Sequence, residues 1–513
     1  MSPPLPPLIR ALLDPARYPH PVAAVELIET HASWLLLAGD FAYKIKKAVV
    51  LPFLDYGTLE RRRACCEAEL RLNRRFAPQL YLAVLPIVGE AEDPQIGGAG
   101  EAIEYAVRMR RFAEDGRLDR LCARGQLGRQ QVSDLAATLA AFHAAAATAP
   151  PASPFGEPEQ VVAPALANFD ELRDLLPGDA AGARLARLRD WTQAEFDRLP
   201  AHFAARKADG RIRECHGDLH LGNLVVIDGR VTLFDCIEFS EALRWIDVAS
   251  ELAFTYIDLL DHRQPGLACW LLNEWLTCSG DYDAAQVLRF YAVYRALVRA
   301  KVAAIRSRQD GPDDGQAGGY LALAERLIVP PEPRLIITHG VAGCGKTRAS
   351  RELLLADDAA ATLRLRSDVE RKRLFGLAAS ASSGSPMDGG IYSGDASERT
   401  YERLRELARG LLAAGWSVII DAAFLERRRR ESFHRLATDA GAAFFIVAPA
   451  ATPGQLAARV RGRLAKGHDA SEADLSVLAG QLARIEALGD DERAHLLPGR
   501  RPGSGEPQGR RRD

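Results

Sequence analysis

The chain has 513 residues, of which 48% are hydrophobic and 26% are charged, and its formal net charge is −2. This length exceeds one ordinary hydrophobic core and predicts two or three domains. The near-neutral charge excludes a global field that would favour nucleic acid or an anionic membrane. A proline-broken N-terminus, short apolar stretches and eight cysteines without a C-x-x-C pair predict a cytoplasmic protein with free thiols and no membrane segment.

The first part of the chain predicts a small sheet followed by helices. Short strands are expected from about residue 22 to 55, with A-G-D as a hairpin turn, and a charged helix is expected over 58–76. A further strand pair, 81–88 and 102–109, flanks a loop at 89–101. Helical periodicity then follows at 134–147, 183–206, 241–262 and 284–307. This order predicts a two-lobed fold.

A composition change near residue 329 predicts a domain boundary. Residues 308–319 have the composition of a flexible linker, 320–328 predict one more helix, and V-P-P-E-P-R breaks the chain at 329–334. Beyond it, strands alternate with helical stretches, which predicts a parallel sheet with crossover helices. The predicted organisation is therefore a domain over 1–328, a linker over 329–333, a second domain over 334–497 and a disordered tail over 498–513, with an α+β domain followed by an α/β domain.

The first chemical motif is H-G-D-L-H-L-G-N at 216–223. Asp218 and Asn223 are five residues apart, which is the spacing of base and metal ligand in the H-R-D-x-x-x-x-N catalytic loop. Asp235 follows the predicted strand R-V-T-L-F and could supply a second metal carboxylate. Phosphoryl transfer needs such a base and such oxygen ligands for magnesium.

These residues resemble the aminoglycoside phosphotransferase and choline kinase superfamily, over roughly 20–328. The resemblance implies a protein-kinase-like fold in which Asp218 is the catalytic base and Asn223 and Asp235 hold magnesium. Lys44 in F-A-Y-K would contact ATP, with Lys46 as the alternative. The helix carboxylate that partners this lysine would be Glu69, with Glu67 as second choice.

Two alternative interpretations concern neighbouring residues. His216 and His220 are four residues apart, as in some zinc sites, but H-E-x-x-H is absent and the flanking residues favour strands, so the kinase loop is the preferred interpretation. A polycationic acceptor such as an aminoglycoside would need clustered carboxylates. The acidic residues after Asp235 could provide them, although helix-dipole complementarity explains them equally well; they are Glu238, Glu241, Asp247 and Glu251.

The second motif, G-V-A-G-C-G-K-T at 340–347, matches G-x-x-x-x-G-K-[ST] in full. A predicted strand enters the motif and a predicted helix leaves it, as a P-loop requires. Gly340, Gly343 and Gly345 would let backbone N–H groups wrap phosphates at a helix N-terminus. Lys346 would reach the β- and γ-phosphates, and Thr347 would ligate magnesium.

The pattern D-x-x-R after the next strand resembles phage-type polynucleotide kinases and related small P-loop kinases, over about 334–497. By that resemblance Asp368 is a general base and Arg371 a substrate or phosphate clamp. Asp421, at the end of the predicted strand S-V-I-I-D, would be the Walker-B-like metal carboxylate or the carboxylate on the acceptor side. The segment 457–474 resembles a basic lid in which Arg459 and Arg463 offer charge to the transferring phosphoryl group, although an exposed basic helix explains it as well.

The whole chain resembles bacterial proteins that fuse an aminoglycoside-phosphotransferase-like domain to a P-loop ATP-binding domain. The resemblance implies two sites for ATP and Mg²⁺, each moving the γ-phosphoryl group to a hydroxyl of a small molecule. The alternative is that the P-loop domain is a regulatory ATPase or nucleotide switch. Arginine runs at 427–430 and 510–512 lack aromatic platforms, so a solvated surface is preferred over nucleic-acid binding.

Overall fold

The computed structural model describes residues 4–30, 32–51, 54–310, 315–379, 381, 390–466 and 472–497. The chain forms two compact units, Met1–Gln264 with Val287–Ile328 and Pro265–Gln286 with Val329–Asp513. Residues 265–286 are thus grouped with the second unit, although the sequence pattern placed them in the first predicted domain. The domain boundaries expected around 329–333 remain a prediction. The tail that the sequence predicts to be disordered lies outside the described residues.

The first unit contains a six-stranded antiparallel sheet in the order β1-β2-β3-β8-β6-β7, and three two-stranded sheets, β4-β5, β10-β11 and β12-β9. The strands are β1 (Val25–Glu29), β2 (Ser33–Ala38), β3 (Phe41–Lys46), β4 (Val50–Leu51), β5 (Leu54–Asp55), β6 (Tyr81–Glu90), β7 (Asp93–Ile96), β8 (Ala102–Arg110), β9 (Ile212–Glu214), β10 (Leu224–Ile227), β11 (Arg230–Leu233) and β12 (Trp245–Asp247).

Helices surround these sheets in the same unit. They are α1 (Pro7–Ala11), α2 (Leu59–Asn73), α3 (Leu118–Ala123), α4 (Arg129–Ala145), α5 (Pro158–Leu175), α6 (Asp179–Arg198), α7 (Pro200–Ala208), α8 (Glu241–Arg244), α9 (Val248–Asp261), most of α11 (Ala284–Asp310) and α12 (Gln316–Leu327).

The predicted hairpin at A-G-D is confirmed, because Gly39 has φ 57° between β2 and β3 and allows the tight turn. The predicted helix over 58–76 is also confirmed as α2, which begins where the Thr58 side chain accepts a hydrogen bond from Arg61 N. The predicted pair of strands forms β6 and β8.

Four sequence predictions in this unit were wrong in detail. The predicted loop at 89–101 contains β7, which pairs with β6. The predicted helix over 183–206 is two helices, because Pro200 cannot continue α6 and begins α7 instead. The predicted helix over 241–262 is interrupted by β12 before α9 begins. The predicted linker at 308–319 is helical through Asp310 and again from Gln316.

The second unit contains a four-stranded parallel sheet in the order β14-β15-β13-β16, as the alternating pattern predicted. Its elements are α10 (Pro265–Ser279), β13 (Arg334–Thr338), α13 (Lys346–Leu355), β14 (Thr362–Arg366), α14 (Ser367–Leu374), α15 (Gly394–Ala413), β15 (Ser417–Asp421), α16 (Arg427–Asp439), β16 (Ala443–Val447), α17 (Pro453–Lys466), α18 (Leu475–Arg484) and α19 (Asp490–Arg493).

Helix α10 covers the outer edge of β14 within this unit. Asn273 Nδ2 donates to Thr362 O at 2.9 Å, and Asn273 Oδ1 accepts from Arg364 N at 2.6 Å. The Asn273 amide thereby pairs with backbone groups that a further strand would otherwise satisfy. In the part of the chain that the structure describes, every helix is too short or too polar to span a lipid bilayer.

Candidate functional site

Two lysines of β3 meet carboxylates from distant parts of the first unit. Lys44 and Lys46 are two residues apart, so they point to the same face of the strand. Lys44 Nζ donates to Glu69 Oε1 at 2.9 Å and to Asp235. Lys46 Nζ donates to Glu69 Oε2 at 2.8 Å and to Glu238. The structure therefore brings the predicted Lys44, Glu69 and Asp235 into one ion cluster.

Helix α2 decides which carboxylate enters this cluster. Glu69 is fully buried, and Asn73, one turn later, donates to Glu69 O at 2.9 Å and is buried as well. Glu67 lies on the exposed face, where it pairs with Arg63 four residues earlier at 2.9 Å. The second-choice carboxylate is thus in a surface ion pair.

Asp235 occupies an unusual backbone conformation. Its φ is 64°, a left-handed value that costs a residue other than glycine about 1–2 kcal/mol. Asp235 N donates to the Tyr81 hydroxyl at 2.9 Å, which fixes the turn. Burial raises the pKa of Asp235, but Lys44 and the other neighbouring groups together lower it by more, so the pKa lies below its ordinary value. The carboxylate is therefore ionised at neutral pH, as a metal ligand must be.

The loop at 216–223 brings Asp218 and Asn223 together. Asn223 Nδ2 donates to Asp218 O at 2.9 Å, which leaves the amide oxygen of Asn223 for another partner. Burial raises the pKa of Asp218, whereas the neighbouring His220 and Arg299 lower it by more, so its net pKa lies well below the usual range. Asp218 is thus a carboxylate at neutral pH. An amide oxygen and a second carboxylate, Asp235, fit the oxygen ligands that Mg²⁺ prefers.

Glu251 of α9 holds the start of this loop, a role that the sequence analysis did not identify. Its Oε1 accepts from His216 N and from Gly217 N, the latter at 3.0 Å, and its Oε2 lies 2.7 Å from His143 Nε2. Burial raises the pKa of Glu251, but the hydrogen bond and charge of His143 lower it by more, to about 2. His143 and Glu251 are 108 residues apart, so no local sequence pattern reveals their contact.

A pH test follows for Glu251. Because folding lowers its pKa from 4.5 to about 2, its ionisation stabilises the fold at pH values above 4.5 and that stabilisation is lost as the pH falls towards about 2. At neutral pH the contribution corresponds to about 3 kcal/mol. We expect urea unfolding to give a large difference in the free energy of unfolding between wild type and Glu251→Gln at pH 7. Near pH 3 this difference should be about half as large. A difference that does not change with pH would contradict this role.

The two histidines of the loop make hydrogen-bond contacts with backbone atoms of the protein. His216 Nε2 lies 2.8 Å from Phe234 O, and the His216 ring stacks on Phe76 with centroids 5.6 Å apart. His220 Nδ1 accepts from Gly222 N at 3.1 Å, and its Nε2 lies 3.5 Å from Asp218 Oδ2. These contacts favour the kinase-loop interpretation over zinc.

Three of the four acidic residues that could have served a polycationic acceptor also bind groups of the protein itself. Glu238 accepts from Lys46 and Tyr56, and Glu251 holds the loop. Asp247 caps α9 through Ala249 N at 2.8 Å and accepts two hydrogen bonds from Arg206 at 2.6 and 2.7 Å. Glu241 is exposed at the start of α8.

In the second unit, the predicted P-loop connects β13 to α13. Gly340, Gly343 and Gly345 have φ values of 136°, 80° and 109°, which side-chain-bearing residues rarely adopt. Lys346 begins α13, and its Nζ donates to Gly340 O at 2.8 Å and to Val341 O at 2.9 Å. The lysine therefore lies against the loop that its sequence pattern predicted.

Glycine at position 343 is required for space as well as for conformation. A Cβ there would lie 2.8 Å from Leu456 O, a backbone atom of α17. We expect Gly343→Ala to lower the stability of the second unit by about 1–3 kcal/mol and to weaken nucleotide binding. The matched control is Gly462→Ala, in the interior of α17, where a Cβ meets nothing within 4 Å. This variant should raise the stability of the second unit by up to about 1 kcal/mol. Thermal unfolding measures both; equal melting temperatures for the two variants would refute the argument.

Asp421 lies at the carboxyl end of β15 and is buried. Its Oδ2 accepts from Ser350 Oγ at 3.2 Å, and Ser350 Oγ also lies 3.1 Å from Thr347 O. The predicted metal residues Thr347 and Asp421 are therefore linked through one serine of α13.

Asp368 and Arg371 lie on α14, directly after β14. The Arg371 guanidinium is buried; Nη1 donates to Ile391 O at 3.0 Å and to Ser397 Oγ at 3.1 Å, and the group lies over the Tyr392 ring at 5.2 Å. These contacts connect α14 to the start of α15.

The two arginines of the predicted lid lie on α17. Arg459 Nη1 donates to the P-loop carbonyls Gly343 O and Cys344 O, both at 3.2 Å. Arg463 donates to Ala473 O. The structure thus brings Arg459, and not Arg463, onto the P-loop itself. Part of the predicted lid, 467–471, lies outside the described residues.

Family models match both parts of the chain that carry these motifs. The model of the Phosphotransferase enzyme family matches residues 58–275, and the model of an AAA domain of the AAA_33 type matches residues 335–488. "Uncharacterized protein Rv2004c" of Mycobacterium tuberculosis (strain ATCC 25618 / H37Rv) is 31% identical over 485 residues, 93% of this chain and 95% of that protein. "Uncharacterized protein Mb2027c" of Mycobacterium bovis has the same identity and coverage.

Solved structures of two kinases are similar to more than half of the chain. A choline/ethanolamine kinase family protein from Mesorhizobium loti has a TM-score of 0.39 and 13% identity, covering 63% of this chain and 94% of its own. An aminoglycoside phosphotransferase from Alicyclobacillus acidocaldarius has a TM-score of 0.38 and 14% identity, covering 64% of this chain and 94% of its own. The family matches and the two kinds of sheet confirm the predicted fold class.

Proposed function

Since the chain belongs to the family that joins an aminoglycoside-phosphotransferase-like domain to a P-loop ATP-binding domain, we propose that its first unit is a small-molecule kinase. This unit would move the γ-phosphoryl group of ATP to a hydroxyl of its acceptor. The observation that supports the proposal most directly is the cluster of Lys44, Glu69 and Asp235. In a kinase these three charges orient the phosphates and their metal ion.

The exposure of the two lysines favours Lys44 as the phosphate contact. The Lys44 side chain is 17% exposed, whereas that of Lys46 is 0% exposed. A group that binds a diffusing nucleotide must be accessible from solvent, and the Lys46 side chain is not. Lys44 is held by Glu69, so its ammonium group is oriented before the nucleotide arrives.

The remaining residues of the first site complete the proposed reaction. Asp218 accepts the proton of the acceptor hydroxyl as that oxygen forms a bond to the γ-phosphorus, and the bond from phosphorus to the β-γ bridging oxygen breaks to release ADP. Asn223 and Asp235 would hold Mg²⁺. The ion would neutralise phosphate charge. Glu251 keeps the loop of Asp218 in place through His216 N and Gly217 N.

We propose that the second unit is a second ATP site. Gly340, Gly343, Gly345 and Lys346 would bind the phosphates, and Thr347 with Asp421 would hold Mg²⁺. Asp368 would act as the general base towards a second hydroxyl. Further contacts to phosphate or substrate are proposed for three arginines, Arg371, Arg459 and Arg463.

Transfer of label from γ-labelled ATP tests both proposals. Purified protein is incubated with an extract of small metabolites and with a panel of aminoglycosides. A labelled product that is lost in Asp218→Asn but kept in Lys346→Ala assigns the acceptor to the first unit, and the opposite pattern assigns it to the second. No labelled product from any acceptor would contradict the kinase proposal.

The same experiment separates a second kinase site from a regulatory ATPase. If the P-loop unit is a kinase, Asp368→Asn should abolish its transfer while leaving ATP binding nearly unchanged. Hydrolysis that depends on Lys346 and Thr347, and that is insensitive to Asp368→Asn, would instead assign a nucleotide switch to this unit.

A further inference from the structure

Lys46 is the second lysine of the ion cluster in the first unit, and the phosphate contact proposed above does not use it. Its side chain is 0% exposed, and that of Glu238 is 5% exposed. Tyr56 completes the group, because its hydroxyl donates to Glu238 and lies 3.3 Å from Lys46 Nζ. A buried ammonium group is costly unless opposite charges surround it. Here Glu69 and Glu238 supply those charges.

Glu238 follows the proposed metal ligand Asp235 by three residues. The segment 235–238 between them has little freedom, because its backbone is held from several sides. Its contacts are Asp235 N to the Tyr81 hydroxyl at 2.9 Å, Cys236 N to Asn73 Oδ1 at 3.0 Å, Ile237 N to His216 O at 3.1 Å and Arg244 Nη1 to Glu238 O at 3.0 Å. The ion pair between Lys46 and Glu238 joins the end of this segment to β3, as the ion pair between Lys44 and Asp235 joins its start.

Glu69 divides its two oxygen atoms between the lysines, Oε1 to Lys44 and Oε2 to Lys46. If Lys44 turned towards a phosphate, a Glu69 without a second partner would be a buried, uncompensated charge, which is strongly unfavourable. Lys46 keeps that charge compensated. The presence of the second lysine therefore makes movement of Lys44 less costly.

We propose that Lys46 and Glu238 form a buried lysine–carboxylate pair that positions Asp235 for magnesium. Both are positioning residues, since they act through Asp235 and Glu69 and do not touch the nucleotide. The inference rests on the proposed function of the first unit, where Asp235 holds Mg²⁺.

Magnesium-dependent nucleotide binding tests the pair. The full chain carries Lys346→Ala to silence the second site, and calorimetry measures ATP binding across a series of Mg²⁺ concentrations and in EDTA. In this background, Lys46→Met and Glu238→Gln should each weaken the apparent Mg²⁺ affinity by about tenfold to 100-fold. Binding in EDTA should change much less. The matched control is Lys47→Met, which removes the neighbouring lysine from its 2.6 Å contact with the exposed Glu29.

Glu238→Gln keeps the shape of the side chain, so it remains informative if Lys46→Met fails to fold, and thermal unfolding reports folding for each variant. If a folded variant binds ATP with the same Mg²⁺ dependence as Lys47→Met, the proposed positioning role of Lys46 and Glu238 is wrong. If the Lys346→Ala parent binds no nucleotide, the proposed function of the first unit fails, and the inference fails with it.

Discussion

Asp218→Asn should lower kcat for phosphoryl transfer at the first site by about 10²–10⁴-fold, with ATP affinity close to that of wild type. The amide keeps the size of the carboxylate but cannot take the proton of the acceptor hydroxyl. Asp218 carries its charge at neutral pH, because the neighbouring groups, His220 and Arg299 among them, outweigh its burial and hold its pKa well below the usual range. Initial rates with γ-labelled ATP and the acceptor found by the metabolite screen give the comparison.

The matched control for this prediction is Asp228→Asn. Asp228 is an exposed residue between β10 and β11, and asparagine tolerates its left-handed φ of 50°. Asp228→Asn removes the same charge from the β10–β11 hairpin that follows the loop of Asp218, so its kcat should equal that of wild type. If Asp218→Asn retains more than about a tenth of the wild-type rate, general-base catalysis by Asp218 is the wrong mechanism.

Lys346→Ala should reduce turnover at the second site by about 10²–10³-fold, because it removes the ammonium group aimed at the charge of the phosphates. Lys346 Nζ donates hydrogen bonds to Gly340 O and Val341 O, so the same substitution also removes two contacts within the loop. Turnover measured with Asp218→Asn in the background isolates the P-loop site from transfer at the first.

Arg348→Ala provides the control for that substitution. Arg348 lies on α13 two residues after Lys346, its side chain is 67% exposed, and it pairs with Glu352 at 2.7 Å. An exposed pair of this kind contributes little to stability, so binding and turnover should be unchanged. Equal losses in the two variants would show that helix α13, and not the Lys346 ammonium group, controls the site.

Much of the candidate site could be predicted because its signals are local. The P-loop needs glycine at fixed positions followed by Lys346, and the first loop needs Asp218 and Asn223 at a fixed spacing. The alternation of strands and helices after residue 334 likewise predicted the parallel sheet. Local spacing determines these elements, so a single sequence is enough to find them.

The contacts that hold these residues in place are long-range, and no local pattern reveals them. Lys46 and Glu238 are 192 residues apart, and His143 and Glu251 are 108 residues apart. Glu238 and Glu251 could be seen as acidic residues near the motif, but the sequence does not say which buried side chains pair with them. Strand β7 was missed for a different reason, since Asp93 and Pro94 are poor strand formers that only pairing with β6 makes extended.

Because α10 belongs to the second unit but precedes the end of the first unit in the chain, the gene cannot be cut at one point into two complete units. The chain leaves the first unit at residue 265, contributes α10 to the second and returns at residue 287. A fragment cut at the apparent boundary near 329 would lose Asn273 and leave the edge of β14 with unpaired backbone groups, a known route to aggregation. Recombination at that point would deliver an incomplete P-loop unit, so the two units are expected to be inherited together.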